Sequence, residues 1–73
     1  MEDPRAYVRI ADLLRRQIRA GQIKAGEPVP SITTLTQDHG VARQTAAKAL
    51  QTLESEGLVY RVPGLGYYVT EHQ

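Results

Sequence analysis

The chain contains no cysteine, so neither a disulfide framework nor a thiolate metal site is open to it. No apolar run approaches the roughly 20 residues that a helix needs to cross a bilayer. The opening Met1-Glu2-Asp3-Pro4 lacks the basic-then-apolar order of a secretory signal. Charge of one sign is scarce as well: nine lysines and arginines against eight acidic residues leave a formal net charge of +1. That total argues only weakly for a polyanionic partner, and the placement of the charges says more. Repeats and low-complexity stretches are absent. His39 and His72 have no second histidine or carboxylate cluster at metal spacing. Asp38, next to His39, would point elsewhere on a helix. No nucleophile and base converge, so neither catalysis nor a metal cofactor is expected. The expectation is a soluble, cytoplasmic protein.

What is present is a single small domain's worth of aliphatic and helix-forming sequence. A chain of 73 residues buries only about 60% of its unfolded surface on folding, so the core must be compact. The stretch 41–57, V-A-R-Q-T-A-A-K-A-L-Q-T-L-E-S-E-G, organises the rest. As a helix it lines up Ala42, Ala46, Ala49, Leu50 and Leu53 at i, i+3, i+4, i+7 spacing. Gln44, Lys48, Gln51 and Ser55 fall opposite, with Arg43 and Thr45 flanking the first turn. Small alanines underneath let another helix approach closely, and a polar first two turns suit a groove that displays hydrogen-bonding edges. Gly57 should stop the helix in the left-handed conformation.

Upstream, Asp3-Pro4 reads as a helix start. Tyr7, Ile10, Leu14 and Ile18, with Ala11 and Leu13, keep helical period up to Gly21. Arg9, Asp12, Arg15, Arg16 and Arg19 make the outer face, which either touches a phosphate backbone or is simply solvated. Residues 22–30, Q-I-K-A-G-E-P-V-P, form a connector anchored by Ile23 and Val29, its prolines holding Glu27 and Val29 extended. Ser31 then caps a short helix with Ile32 and Leu35 inward, closed by Gly40. After Gly57, Leu58-Val59-Tyr60-Arg61-Val62 and Tyr67-Tyr68-Val69-Thr70 flank Pro63-Gly64-Leu65-Gly66 and read as a hairpin. The fold class is therefore mainly α with a small β-hairpin, a winged helix-turn-helix. Its helices should span about 5–20, 32–39 and 43–56, with a wing at about 58–70.

These residues resemble a family. P-S-I-T-T-L-T-Q-D-H-G-V-A-R-Q-T-A-A-K-A-L-Q-T-L-E-S-E-G followed by L-V-Y-R-V-P-G-L-G-Y-Y-V is similar to the N-terminal DNA-binding domain of the GntR family of bacterial transcription regulators. The first helix and connector fit too, so the resemblance runs from Tyr7 to Val69. It implies sequence-specific binding of double-stranded DNA. The third helix would sit in the major groove and the wing on the backbone or minor groove. Residue by residue, Arg43 would bridge guanine O6 and N7. Gln44 would bracket an adenine, and Thr45 would meet a phosphate or a thymine methyl. Gly64 would let the wing backbone approach phosphates, and Ser31 would present the amides that open helix two. Arg61 would either reach a phosphate or stand as an edge charge. By the same resemblance Tyr68 anchors the wing on the helices and Tyr67 points outward.

The departures matter. The family usually has arginine where Thr33 and Ala47 stand, and a basic residue where Leu65 stands. Thr33 stays among the candidate contacts, with fewer cations around it and hence a weaker, less salt-dependent grip. Lys48 stands where an acidic residue is usual and would partly restore the charge. Ala42 replaces the family's capping serine or threonine. Glu54 and Glu56 oppose the helix dipole and should point away from DNA. Family members carry a larger effector-binding, dimerising domain after this one. Its absence from the sequence leads one to expect a monomer or weak homodimer, on what would be a palindromic operator in a full-length regulator. The rival from another class is a winged helix kept as a protein-interaction module, favoured by the thin charge.

Overall fold

A computed structural model describes residues 5–71; the Asp3-Pro4 start and His72 lie outside the described residues. Helix α1 runs Ala6–Arg19 and buries Ala6, Ile10, Ala11 and Leu14. Tyr7 and Ile18 pack on the same core, as the heptad-like spacing requires. Arg5, the residue before it, makes no side-chain cap. Helix α2 spans Ile32–His39 and starts on Ser31, whose Oγ accepts from the Thr34 N–H at 3.1 Å. Leu35 is its fully buried residue. Gly40 takes φ +65 at the end of α2 and Val41 and Ala42 complete the turn. A residue with a Cβ would resist that left-handed conformation, so Gly40 sets the angle at which the next helix leaves.

Helix α3, Arg43–Ser55, buries Ala46, Ala49, Leu50 and Leu53. Ala42 does not belong to that stripe, contrary to the periodicity. It is the N-cap, extended at φ −69 and ψ 156, and exposed. Outside the helical screw, its methyl no longer shares the helix's inner face. The main partner of α3 is α1, and two alanines of α3, Ala46 and Ala49, are wholly inaccessible to water. At the other end Gly57 adopts φ +80 as expected. Its N–H donates to the Glu54 carbonyl at 3.0 Å and the Leu58 N–H to the Leu53 carbonyl at 3.1 Å, the paired bonds that terminate a helix before a reversal.

Strands β1 (Val59–Val62) and β2 (Gly66–Val69) pair antiparallel, with Val59 opposite Val69 and Arg61 opposite Tyr67. The Leu65 N–H donates to the Val62 carbonyl at 3.0 Å, so Pro63 and Gly64 are the central residues of the turn. Gly64 at φ +82 supplies the positive φ of a type II turn after proline. Val59 and Val69 are buried, and alternation along a strand then puts Tyr67 inward. Tyr67 packs on the core. Tyr68 faces out and stacks on Tyr60 at 6.2 Å between ring centroids. The assignment of Tyr68 as anchor is thus reversed, because the buried Val69 fixes the parity. The connector also joins the sheet, which its sequence did not announce. The Val29 N–H donates to the Tyr67 carbonyl at 3.0 Å and the Val69 N–H to the Glu27 carbonyl at 2.9 Å.

The Glu56 carboxylate, unfavourably placed against the helix dipole, has a partner on α1. Arg15 on α1 grips it in a two-pronged pair, Nε to Oε1 at 2.9 Å and Nη2 to Oε2 at 2.7 Å, while its third nitrogen, Nη1, bonds Asp12. Hydrogen bonds from Arg15 are the main reason the Glu56 carboxyl titrates below its usual 4.5, with desolvation opposing. Among the described residues no helix is long and apolar enough to cross a membrane.

Two outcomes follow from this packing. Leu53→Ala, at a position with no exposure, should lose about 2–5 kcal/mol in a urea melt, enough to leave so small a domain largely unfolded. Because Glu56 has its carboxyl pKa lowered by folding, the pair's contribution is complete above the usual carboxylate pKa and is lost as pH falls through the lowered value. Glu56→Gln should therefore be less stable than wild type by under about 1 kcal/mol near neutrality, with the gap closing in acid.

Candidate nucleic-acid interface

Burying one side of α3 forces its other side into solvent. Arg43, Gln44 and Lys48 are exposed and Thr45 is half-buried, so the first two turns present a polar surface on a rigid base. The turn at 40–42 brings the start of α2 beside the start of α3. There the Arg43 guanidinium donates from Nη1 to the Thr33 hydroxyl at 3.2 Å. Residues ten apart in sequence are thus joined at the edge of the surface, in a contact that helical periodicity alone could not reveal.

A cleft separates these two helix starts from the hairpin, and Ser31, Thr33, Arg43, Arg61 and Gly64 line it together. Five of the eight sequence-chosen residues therefore meet in one place. Tyr67, which sequence reading had turned outward, forms part of its wall. Arg61 is the cross-strand partner of Tyr67, so it stands on the hairpin face that borders the cleft. Arg43 and Arg61 are the cations here, and no acidic side chain is among the lining residues.

The other three candidates lie off the cleft. Gln44 and Thr45 continue the exposed edge of α3. Lys48 reaches back toward α1, its Nζ lying 4.4 Å from the centre of the Tyr7 ring. A surface pair of this kind contributes about 0.5–1 kcal/mol. Helix α3 carries no side-chain cap at Ala42, in contrast to Ser31 on α2. The Thr45 and Ala46 N–H groups both donate to the Ala42 carbonyl, at 3.1 Å. A cluster of Glu54, Ser55 and Glu56 ends the helix, and Glu56 is tied to Arg15, far along the rod from Arg43.

Two helices joined by a three-residue turn, the second exposing a polar edge beside a two-stranded hairpin, define a winged helix-turn-helix. The chain belongs to the GntR family: residues 6–69 match the family described as bacterial regulatory proteins, gntR family. It is 39% identical over 67 residues to the uncharacterized HTH-type transcriptional regulator YjiR of Escherichia coli, covering 92% of this chain and 14% of that protein. It is 35% identical over 65 residues to the HTH-type transcriptional repressor NagR of Bacillus subtilis, covering 89% of this chain and 27% of the repressor. The AraR DNA-binding domain in complex with operator ORR3 superposes with a TM-score of 0.84 at 34% identity, over 88% of this chain and 77% of that one. This chain thus spans about a quarter or less of the length of these two curated relatives.

The uncapped start of α3 generates a stability test. Ala42 already holds the extended backbone of an N-cap, so Ala42→Ser should stabilise the domain by about 0.5–1 kcal/mol. A rise of several degrees in the thermal midpoint would be the readout, roughly 4–8 °C per kcal/mol at this size.

Proposed function

We propose that this chain is the operator-reading domain of a GntR-type transcriptional regulator acting in the cytoplasm. The observation that carries the reading is the arrangement of Arg43, Gln44 and Thr45 on the opening turn of α3, whose opposite face is sealed in the core. A helix held in this way can lie in the major groove with its first turn against base edges. The similar AraR domain is in complex with an operator, which supports double-stranded DNA as the partner of this one.

In this reading Arg43 bridges a guanine and Gln44 an adenine, while Thr45 touches a phosphate or a thymine methyl. Ser31 and Thr33 offer hydroxyls and the amides of α2 to one strand's phosphates. Arg61 and Gly64 meet the backbone on the wing side, and Lys48 takes a further phosphate by exchanging its tyrosine contact for it. Phosphate contacts set the register, and base contacts choose the sequence. One copy of the domain reads one half-site of a palindromic operator and is monomeric, or weakly dimeric, by itself. Recognition of an effector, and tight dimerisation, fall to sequence of the kind that fills the rest of the longer relatives. Occupancy of the operator is then what alters transcription.

Selection from random duplexes, followed by salt titration on the selected sequence, tests this. Wild type should enrich a short motif and lose affinity with a log–log salt slope of about −2, as expected for the two cations placed on phosphates, Lys48 and Arg61. Arg43→Ala should flatten the preference at one base pair, a discrimination of about 1–3 kcal/mol. A protein that enriches nothing and shows no salt dependence would instead be the interaction module that its low charge allows.

A further inference from the structure

The tip of the wing carries Leu65, which is 70% exposed, against 40% for Val8 and 43% for Tyr60, the other exposed large apolar residues among the described residues. A single exposed leucine is ordinary on a protein surface. Its place is what distinguishes this one. It closes the turn begun by Pro63 and Gly64 and is followed by Gly66 at φ +120, so bare backbone flanks it on both sides. Gly64 and Gly66 both border the cleft that holds Arg43 and Thr33. The turn from Pro63 to Gly66 contains no cation or hydroxyl at all, and the charge closest in sequence, Arg61, stands on the strand below.

Resting on the DNA-reading assignment above, we propose that Leu65 is a specificity-determining residue that enters the minor groove beside the half-site as an apolar wedge. When α3 occupies the major groove, the groove next to it is the minor one. A leucine can neither neutralise nor hydrogen-bond a phosphate. The apolar surface available to it is the sugar walls and base edges of the minor groove floor. Apolar side chains inserted there partially unstack a base step, and the cost of doing so depends on the step. Flexible pyrimidine–purine steps, above all TA, yield most easily. The flanking glycines let the backbone follow the side chain into a groove about 6 Å wide. The wing therefore contributes sequence preference through deformability, at positions α3 does not touch, instead of the uniform grip that a cation at the tip would give.

The test is selection from random duplexes with the full chain, comparing wild type, Leu65→Ala, Leu65→Asn, Leu65→Lys and Arg43→Ala, with thermal melts confirming that each folds. Wild type should enrich a flexible step on the flank of the core motif. Leu65→Ala and Leu65→Asn should keep the core motif, lose the flank preference and bind the selected site about three- to tenfold more weakly. Leu65→Lys should also lose the flank preference, and steepen the log–log salt slope by about 0.9 as one more phosphate is met. If the three Leu65 variants retain the wild-type flank preference and affinity while Arg43→Ala loses the core motif, the wedge is overturned and the base-reading assignment stands. If wild type and Arg43→Ala enrich the same sequences or none, the base-reading assignment fails and the wedge with it.

Discussion

Helix α3 must be dry on one side and wet on the other, and everything else in the molecule is arranged to keep it so. Ala46 and Ala49 have no accessible surface, and Leu50 and Leu53 are as deeply covered. Alanine, with its small side chain, lets a neighbouring element come close, and the leucines fill the remaining core. Burying these leucines contributes on the order of 2 kcal/mol each, a large share of the stability available to a domain of this size. The polar edge of α3 is rigid because that seat is tight. A looser seat would leave Arg43 and its neighbours free to wander, and a recognition surface a small distance out of place reads nothing.

The hairpin is fastened at its root and free at its tip. Val59 and Val69 are buried, and Tyr67 packs beside them. The strand that carries Tyr67 is bonded on one edge to β1 and on the other to the connector at Glu27 and Val29. The connector, far upstream in sequence, thereby shares one set of backbone hydrogen bonds with the hairpin, which covers an edge that would otherwise invite pairing with another chain. The turn itself takes no part in the core. Stability resides in the lower half of the wing and exposure in the upper half, a division suited to an element that touches a partner without holding up the fold.

Electrostatics is spent sparingly. Arg15 is committed to Glu56 and Asp12 and so braces α1 against the end of α3. The Lys48 ammonium rests on Tyr7. On the cleft, Thr33 occupies a position where the resembled family would place a cation, and its hydroxyl instead accepts a hydrogen bond from Arg43. An exposed bond of this kind is weak, worth at most about 1 kcal/mol. It nevertheless biases a long side chain with many rotamers toward one direction. The exchange trades long-range attraction for local order.

Sequence by itself determined the order and type of the elements. Helical period in α1 and α3, the serine that opens α2, and glycines 40, 57 and 64 depend on backbone sterics and local hydrogen bonding, which act within a few residues and are written in the local sequence. It also determined which side of α3 is polar, since the period of a helix needs no partner to be counted. Tertiary structure alone decided the rest. Ala42 left the apolar stripe because its backbone is the extended N-cap of the helix, and Tyr67 turned inward because Val69 fixed the parity of the strand. Glu56 found Arg15 across 41 positions, the connector found β2, and Arg43 found Thr33. Each of those outcomes depends on which surfaces meet, and only packing of the whole chain settles that.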